Sequence, residues 1–434
     1  MIEIIQSQEK ERLATRLQAL RNRKVAFDDA LINEVTAIIR EVRARGDAAL
    51  IDYTARFDGV QLEATELRVS EETLHCSAKR VDSFVLDSLR EAIRSVRTFH
   101  EKQKEESWEI SPSEGARLGQ RINPIAKAGL YVPGGTASYP SSVVMNVVPA
   151  QVAGVPRIVV TTPPRTLAEN SAVAAALVEL NVTEVYAVGG AQAIAALAYG
   201  TETVPRVDKI TGPGNRYVAA AKKLVFGAVG IDSIAGPSEV VIIADGSARA
   251  EFVSADLLAQ AEHAEDASAI LLTTSEDLAR RTAAEVARQA ASLSRRTIIE
   301  QSLAHYGAIV LVDSIEEACA IANEMAPEHL EVMTNDDENV ARQIRDAGAI
   351  FLGAHTPEAA GDYIAGPNHV LPTGGAARFS SALGVYDFVK RTSLLRYSKQ
   401  AIERSAVKIA ALARAEGLDA HARSALIRRE VNQS

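Results

Sequence analysis

Cysteine is nearly absent: Cys76 and Cys319 are the only two in 434 residues. That excludes a disulfide scaffold and points to a reducing, cytoplasmic setting. Long apolar runs are missing too. No stretch approaches the roughly 20 consecutive apolar residues that cross a bilayer. The opening MIEIIQSQEKERLATRLQALRNRK is charged throughout and holds no apolar core of signal-peptide length. Basic blocks are lacking, the formal net charge is −9 and the isoelectric point is about 5.6. Neither nucleic acid nor a membrane surface is therefore expected as a partner. The fingerprint G-x-G-x-x-G is also absent. Gly212 and Gly214 have its first spacing, but Tyr217 stands where a later glycine belongs. What is present is ordinary globular material, 47% hydrophobic and 24% charged, long enough for two or three domains.

Residues 1–117 read as an N-terminal, mainly helical segment. Glu11 to Arg21, Asp29 to Arg56 and Val81 to His100 repeat apolar residues at three- and four-residue spacing. A short strand is expected between Gln61 and Val69, and His75 and His100, set among charges, read as solvated. From residue 118 strand-like and helix-like runs alternate. The strands are Ala126 to Val132, Arg157 to Thr161, Glu184 to Val188 and Asp208 to Thr211. A second alternating set has strands near Glu239–Ala244, Ser268–Thr273, Ala308–Val312, Leu330–Thr334 and Ala349–Leu352. Alternation of this kind indicates mostly parallel sheets. The predicted fold is α/β: two successive Rossmann-like parallel-sheet domains, residues 118–238 and 239–377, between the helical segment and a C-terminal region, 378–434. In that last region Val385 to Ser393 is strand-like and Lys399 to Val431 is a helical tail broken at Gly417. The tail is basic and Ala-rich, with too narrow an apolar face to stand alone, and is expected to dock on something.

Three loops follow strands of the first set, where open α/β sheets bind ligands. They are GLYVPGG from Gly129, VGGAQ from Val188 to Gln192, and GPGN from Gly212 to Asn215. Glycines beside helix N-termini suit phosphate, and tight turns account for them equally. In the helix-like run Ser254 to His263, Gln260 and His263 are three apart and share a face, with Asp256 four before Gln260. Such a pair can grip a metal ion or simply be a solvated face. Pro327 ends a helix and sets Glu328 and His329 together before a strand. They form a possible acid/base pair or a capping glutamate and a core histidine. Asp362 and His369 lie in a long polar loop, as candidate metal ligand and candidate polar contact. His421 stands in the tail, five after Glu416. Gln260, His263, Asp362 and His421 would offer oxygen and nitrogen ligands without thiolates, which suits Zn²⁺ or Mn²⁺. His305 and His355 have no such context and read as structural.

Taken in order, GLYVPGG, GGAQAIAALAYGT, KITGPGN, AGPSEV, QAEH, APEHLE, AGDYIAGPNHVLPT and EGLDAH resemble the histidinol dehydrogenase family over about residues 118 to 421, and more loosely the whole length. The resemblance implies NAD-dependent, four-electron oxidation of L-histidinol to L-histidine through histidinal, the last steps of histidine biosynthesis. It implies Gln260, His263, Asp362 and His421 as ligands of one zinc per subunit, Glu328 and His329 as acid/base pair, and Tyr131, Gln192 and Asn215 as NAD contacts. Substrate would meet Ser238, Glu416, His329 and the zinc ligands. It also implies a homodimer whose tail completes the partner's site. His329 would take the alcohol proton, and Glu328 would activate water to hydrate the aldehyde. A Cys route is less apt, because Cys76 is far from every motif and Cys319 is mid-helix. Three other readings compete. One is a zinc- and NAD-dependent dehydrogenase of the same fold acting on another small alcohol, for which Glu416 would be superfluous. The second is a zinc hydrolase with Glu328 as base and no dinucleotide. The third is a non-catalytic metal-binding or scaffold protein, which would need neither Glu328 nor His329.

Overall fold

Val, Ile, Leu and Ala dominate the runs Glu239–Ala244, Ser268–Thr273 and Gly307–Leu311, and such runs are stable only where both faces of a sheet are covered. The computed structural model, which describes residues 2–22, 27–134 and 139–430, shows that arrangement. Its strands are β1 (Ile4–Gln6), β2 (Trp108–Ser113), β3 (Ala116–Pro124), β4 (Lys127–Tyr131), β5 (Arg157–Thr162), β6 (Val185–Ala187), β7 (Lys209–Thr211), β8 (Gly230–Ile231), β9 (Glu239–Ala244), β10 (Ser268–Thr273), β11 (Gly307–Leu311), β12 (His329–Met333), β13 (Ala349–Leu352) and β14 (Val389–Tyr397). Two sheets are wholly parallel. One has five strands in the order β6-β5-β4-β7-β8, and the other has six in the order β1-β11-β10-β9-β12-β13. The expected α/β architecture is therefore present.

The second sheet sorts its side chains by the two-residue period of a strand. Val240, Ile242, Ala244 and Leu271 enter one core, against Val253 and Leu257 of the helix Ala250–Ala261. Val241, Ile243, Ile270 and Leu272 enter the opposite core, against Ala318 and Cys319 of the helix Ile315–Met325. The first sheet packs largely on the Ala-rich helix Gly190–Tyr199, whose residues Ala191 to Ala198 are all buried.

Contacts divide the chain into two units, residues 1–103 with 126–388, and residues 104–125 with 389–434. The first holds both parallel sheets. The second is a three-stranded antiparallel sheet, β14-β3-β2, with the helices Lys399–Ala415 and Asp419–Glu430, which pack through Ala410, Ala413 and Ala422. The break at Gly417 is where expected, at φ +75°.

Several local expectations fail. The N-terminal segment is mainly helical as expected, but it also holds an unforeseen strand: Ile4 pairs with Ile309 and puts β1 on the edge of the six-stranded sheet, with Ile5 fully buried. Three residues are too few to show a period. Between Gln61 and Val69 there is a 3₁₀ turn, Ala64–Glu66, and an isolated bridge from Arg68 to Tyr186 in place of a strand. Strands β2 and β3 went unrecognised, and the strand expected from Val385 begins at Val389, after a 3₁₀ turn at Val385–Asp387. His100 is fully buried, not solvated. Its Nδ1 donates to the Val96 carbonyl at 2.7 Å, and burial holds its pKa down. His75, His305 and His355 are exposed. No helix among the described residues is long and apolar enough to cross a membrane.

Candidate active site

A cavity of about 780 Å³ lies between the two parallel sheets of the first unit. From the five-stranded sheet it receives the loops after carboxyl ends: Pro133 and Gly134 after β4, and Gly212 to Asn215 after β7. The six-stranded sheet contributes the opposite ends of its strands. Ser238 precedes β9, Glu328 precedes β12, and His329 is the first residue of β12. The rule that ligands gather at carboxyl ends thus holds for one sheet only. The helix Ala250–Ala261 explains the difference. It follows β9 and runs back along the sheet, so its last turn returns to the amino edge with Gln260 on it and His263 just beyond. The negative end of a helix dipole there favours a cation.

Glu328 and His329 are both almost fully buried. The Glu328 carboxylate accepts the Glu239 N–H at 3.0 Å and the Ser238 hydroxyl. Burial raises its pKa well above the ordinary carboxyl value, the neighbouring Glu239 charge adds to this, and the hydrogen bonds oppose it. His329 Nδ1 lies 3.4 Å from the Glu239 carbonyl oxygen, which can only accept, so this nitrogen bears the hydrogen. The lone pair is then on Nε2, which is buried, has no hydrogen-bond partner, and sits 4.0 Å from Asp362 Oδ1. Burial lowers the imidazole pKa to about 4, against the pull of the Asp362 charge. A neutral, unpartnered ring nitrogen at a cavity wall is a ready proton acceptor.

His263, Glu358 and Asp362 each bring one ligating atom within 4.8 Å of the others. His263 Nδ1 lies 3.0 Å from the Ala259 carbonyl, so Nε2 is free to bind a cation in a fixed ring orientation. Gln260 is wholly buried beside them. One end of its amide lies 3.0 Å from each Glu358 oxygen and 3.2 Å from His329 Nδ1. With Glu358 protonated that end is the carbonyl oxygen. That oxygen also accepts from His329 Nδ1–H, in keeping with the tautomer set by the Glu239 carbonyl. Burial pushes the Glu358 pKa well up, and the Asp362 charge pushes it further. Behind this group Glu331 Oε1 accepts the Glu358 N–H at 2.9 Å. Its carboxyl also hydrogen-bonds to that of Asp256, which burial raises to about 6. So many buried carboxyls in one place require either protons or a cation. Glu358 was missed in the sequence, although it stands four before Asp362, the spacing of one helical face. His369 also faces the cavity, with Nε2 buried and unpartnered.

Tyr131 and Gln192 come together at the start of the helix Gly190–Tyr199. The Tyr131 hydroxyl accepts the Gly190 N–H at 3.1 Å, and the buried Gln192 Oε1 has no partner. Burial pushes the Tyr131 phenol up to about 12. Asn215 is exposed and caps the helix Arg216–Val225, its Oδ1 accepting from Tyr217 and Val218 N–H at 3.0 and 3.2 Å. Glu416 and His421 belong to the second unit, Glu416 closing the helix Lys399–Ala415 and His421 on the helix Asp419–Glu430. Both are exposed.

Over residues 21–429 the sequence matches the family model described as histidinol dehydrogenase. It is 55% identical over 397 residues to the histidinol dehydrogenase of Geobacillus kaustophilus, covering 91% of this chain and 93% of that one. To that of Halalkalibacterium halodurans it is 54% identical over 401 residues, covering 92% and 94%. The crystal structure of histidinol dehydrogenase from Elizabethkingia anophelis matches the fold with a TM-score of 0.91 at 39% identity, covering 97% of both chains. Likeness of sequence and of fold over nearly the whole length leaves one assignment: the chain belongs to the histidinol dehydrogenase family and is an oxidoreductase of histidine biosynthesis.

Proposed function

We propose that this chain oxidises L-histidinol to L-histidine in two successive hydride removals, with NAD⁺ as acceptor and zinc holding the substrate. The observation that carries the reading is His329 Nε2, buried, unpartnered and turned to a cavity that it shares with His263 and Asp362. The relatives named histidinol dehydrogenase support the substrate. Gln260, His263 and Asp362 would hold the metal, with His421 supplied by the partner subunit. A thiolate-free donor set of one carboxylate, two imidazoles and one amide oxygen fits Zn²⁺, which when bound supplies a Lewis acid without redox chemistry. NAD⁺ when bound receives the hydride, and Tyr131, Gln192 and Asn215 are the contacts proposed for it.

His329 accepts the hydroxyl proton at Nε2 as the carbon is oxidised, and the Glu239 carbonyl on its Nδ1–H steadies the imidazolium that forms. The aldehyde then adds water across its carbonyl. Glu328, once ionised, removes a proton from that water, and the Ser238 hydroxyl and the Glu239 N–H hold its carboxylate in place. The His329 imidazolium returns its proton to the carbonyl oxygen as the water adds, and the neutral ring then takes the hydrate proton in the second oxidation. A thiohemiacetal route fits less well. Cys76 is exposed, Cys319 is buried in the opposite core, and neither lines the cavity.

Unit 2 supports the dimer. Leu395 is 73% and Leu412 70% exposed, and Trp108 and Ile110 of the same unit are half exposed, apolar surface of the kind that interfaces cover. In the partner's site Glu416 would hold the distal imidazole nitrogen of the substrate. The deciding experiment gives purified protein histidinol and NAD⁺ and follows NADH by its near-ultraviolet absorbance. Two equivalents of NADH per histidinol, lost on chelation and restored by zinc, are expected. No NADH from histidinol in zinc-loaded protein overturns the reading.

A further inference from the structure

The GPGN loop is held by a buried ion pair that neither the acid/base chemistry nor the metal uses. Lys222, on the helix Arg216–Val225, and Asp232, just after β8, form a salt bridge with side chains only 3% and 5% exposed. Lys222 Nζ also donates to the Gly212 carbonyl at 3.0 Å. Asp232 Oδ2 accepts the Gly212 N–H at 2.8 Å. Both polar groups of one glycine's backbone are thus gripped by opposite charges. Gly212 has φ +113°, and a Cβ there would lie 2.1 Å from the Tyr131 carbonyl oxygen. The loop therefore crosses the end of β4 at a distance only glycine allows.

A buried pair of this kind rarely adds net stability, because desolvating two charges offsets their attraction. What it fixes is geometry. Asn215 begins the helix on which Lys222 lies, and Lys222 ties that helix back to the first residue of the loop. Asp232 anchors the same residue from the β8 side. The loop's shape is then set by charges on both flanks before any ligand arrives.

We propose that Lys222 and Asp232 are positioning residues for the dinucleotide: they preset the GPGN loop, so that binding costs little ordering. The inference rests on the reading that this loop meets NAD⁺. A cofactor that finds its loop already ordered binds more tightly by the ordering cost avoided. Removing the pair should therefore weaken NAD⁺ and leave the histidinol side of the cavity alone.

The test uses the full-length, zinc-loaded protein. Lys222→Met and Asp232→Asn each leave a partner unpaired and are expected to lower the melting temperature. The double variant Lys222→Met/Asp232→Leu carries no buried charge and is expected to regain part of it, the remainder staying lost with the two hydrogen bonds to Gly212. In all three, KM and Kd for NAD⁺ should rise about tenfold or more, with the loss on NAD⁺ and not on KM for histidinol. If the double variant recovers NAD⁺ affinity together with melting temperature, the pair is merely structural and the proposal fails. A second measurement needs no variant. In the wild-type protein the Gly212 amide should exchange its hydrogen slowly without NAD⁺, and little more slowly with it. Protection that appears only on adding NAD⁺ overturns presetting. Asn215→Ala separates the two readings: if it leaves NAD⁺ affinity untouched, the loop is not a cofactor contact and the underlying reading has failed.

Discussion

At His329 burial lowers the imidazole pKa to about 4, while at Glu328, one residue away, it raises the carboxyl well above its ordinary value. The same low-polarity environment thus keeps both groups neutral, and opposite duties follow. His329 is a base throughout the physiological range, whereas Glu328 must first lose a proton. Glu328→Gln should harm oxidation of supplied histidinal more than the alcohol step. His329→Asn should slow both by about 10²–10⁴-fold, the usual worth of a positioned base. Equal losses in both steps for Glu328→Gln would show that the division of labour is wrong. The raised carboxyls also set a stability trend. Glu328, Glu331 and Glu358 bind protons more tightly folded than unfolded. Their contribution is fully present below the ordinary carboxyl pKa and is lost as pH rises toward their folded values. His329 acts in the opposite sense between its folded value of about 4 and its ordinary 6.5, so the carboxyl trend shows alone above that. The metal-free protein should melt at falling temperature as pH rises toward the folded values of these carboxyls, and zinc should stabilise more as pH rises. Calorimetry decides. A melting temperature that is flat or rising in metal-free protein contradicts it.

At the scale of elements, one helix does most to place the metal group. Ala250–Ala261 buries Val253 and Leu257 on the six-stranded sheet and so carries Gln260 and His263 to the amino edge. Its packing therefore bears on the site as well as on the core. Ile242→Ala, in the strand below, should cost about 2–5 kcal/mol of stability, measured by denaturant unfolding. A loss well under that range would mean that the sheet relaxes into the gap. His263→Asn, in contrast, should leave stability of the metal-free protein nearly unchanged, because the side chain is exposed, and should lower bound zinc together with rate. Retained stoichiometric zinc in this variant would remove His263 from the ligand set.

For the whole molecule, the question is where Glu416 and His421 act. They sit on exposed helices of a unit whose own buried apolar residues are a strip of alanines. If the tail serves a partner's cavity, two inactive chains, one Glu328→Gln and one His421→Asn, should regain activity when refolded together. One site in each mixed dimer then combines an intact cavity with an intact tail, and the other carries both lesions. Recovery to about a quarter of wild type is the statistical expectation for random pairing. Inactive mixtures in which mixed dimers are shown to form would rule out exchange.

The sequence by itself determined the strands of both parallel sheets except β1 and the two-residue β8, because buried parallel strands are mostly apolar runs and their flanking helices repeat at the helical period. It also marked Gln260, His263, Glu328, His329 and Asp362, since short polar groupings stand out in Ala- and Leu-rich surroundings. It could not place β1, whose three residues have no period and whose pairing with β11 spans some three hundred positions. Nor could it tell that His100 is buried, because the charges around it in sequence point away from it in space. Glu358 and Glu331 went unmarked, and Asp256 stood out only as a neighbour of Gln260, until the fold brought the three together behind one cavity. The ion pair of Lys222 and Asp232 is likewise unreadable from spacing. Only the tertiary structure decided these points, because desolvation and charge pairing depend on what is near in space, and the order of the chain fixes that only after it has folded.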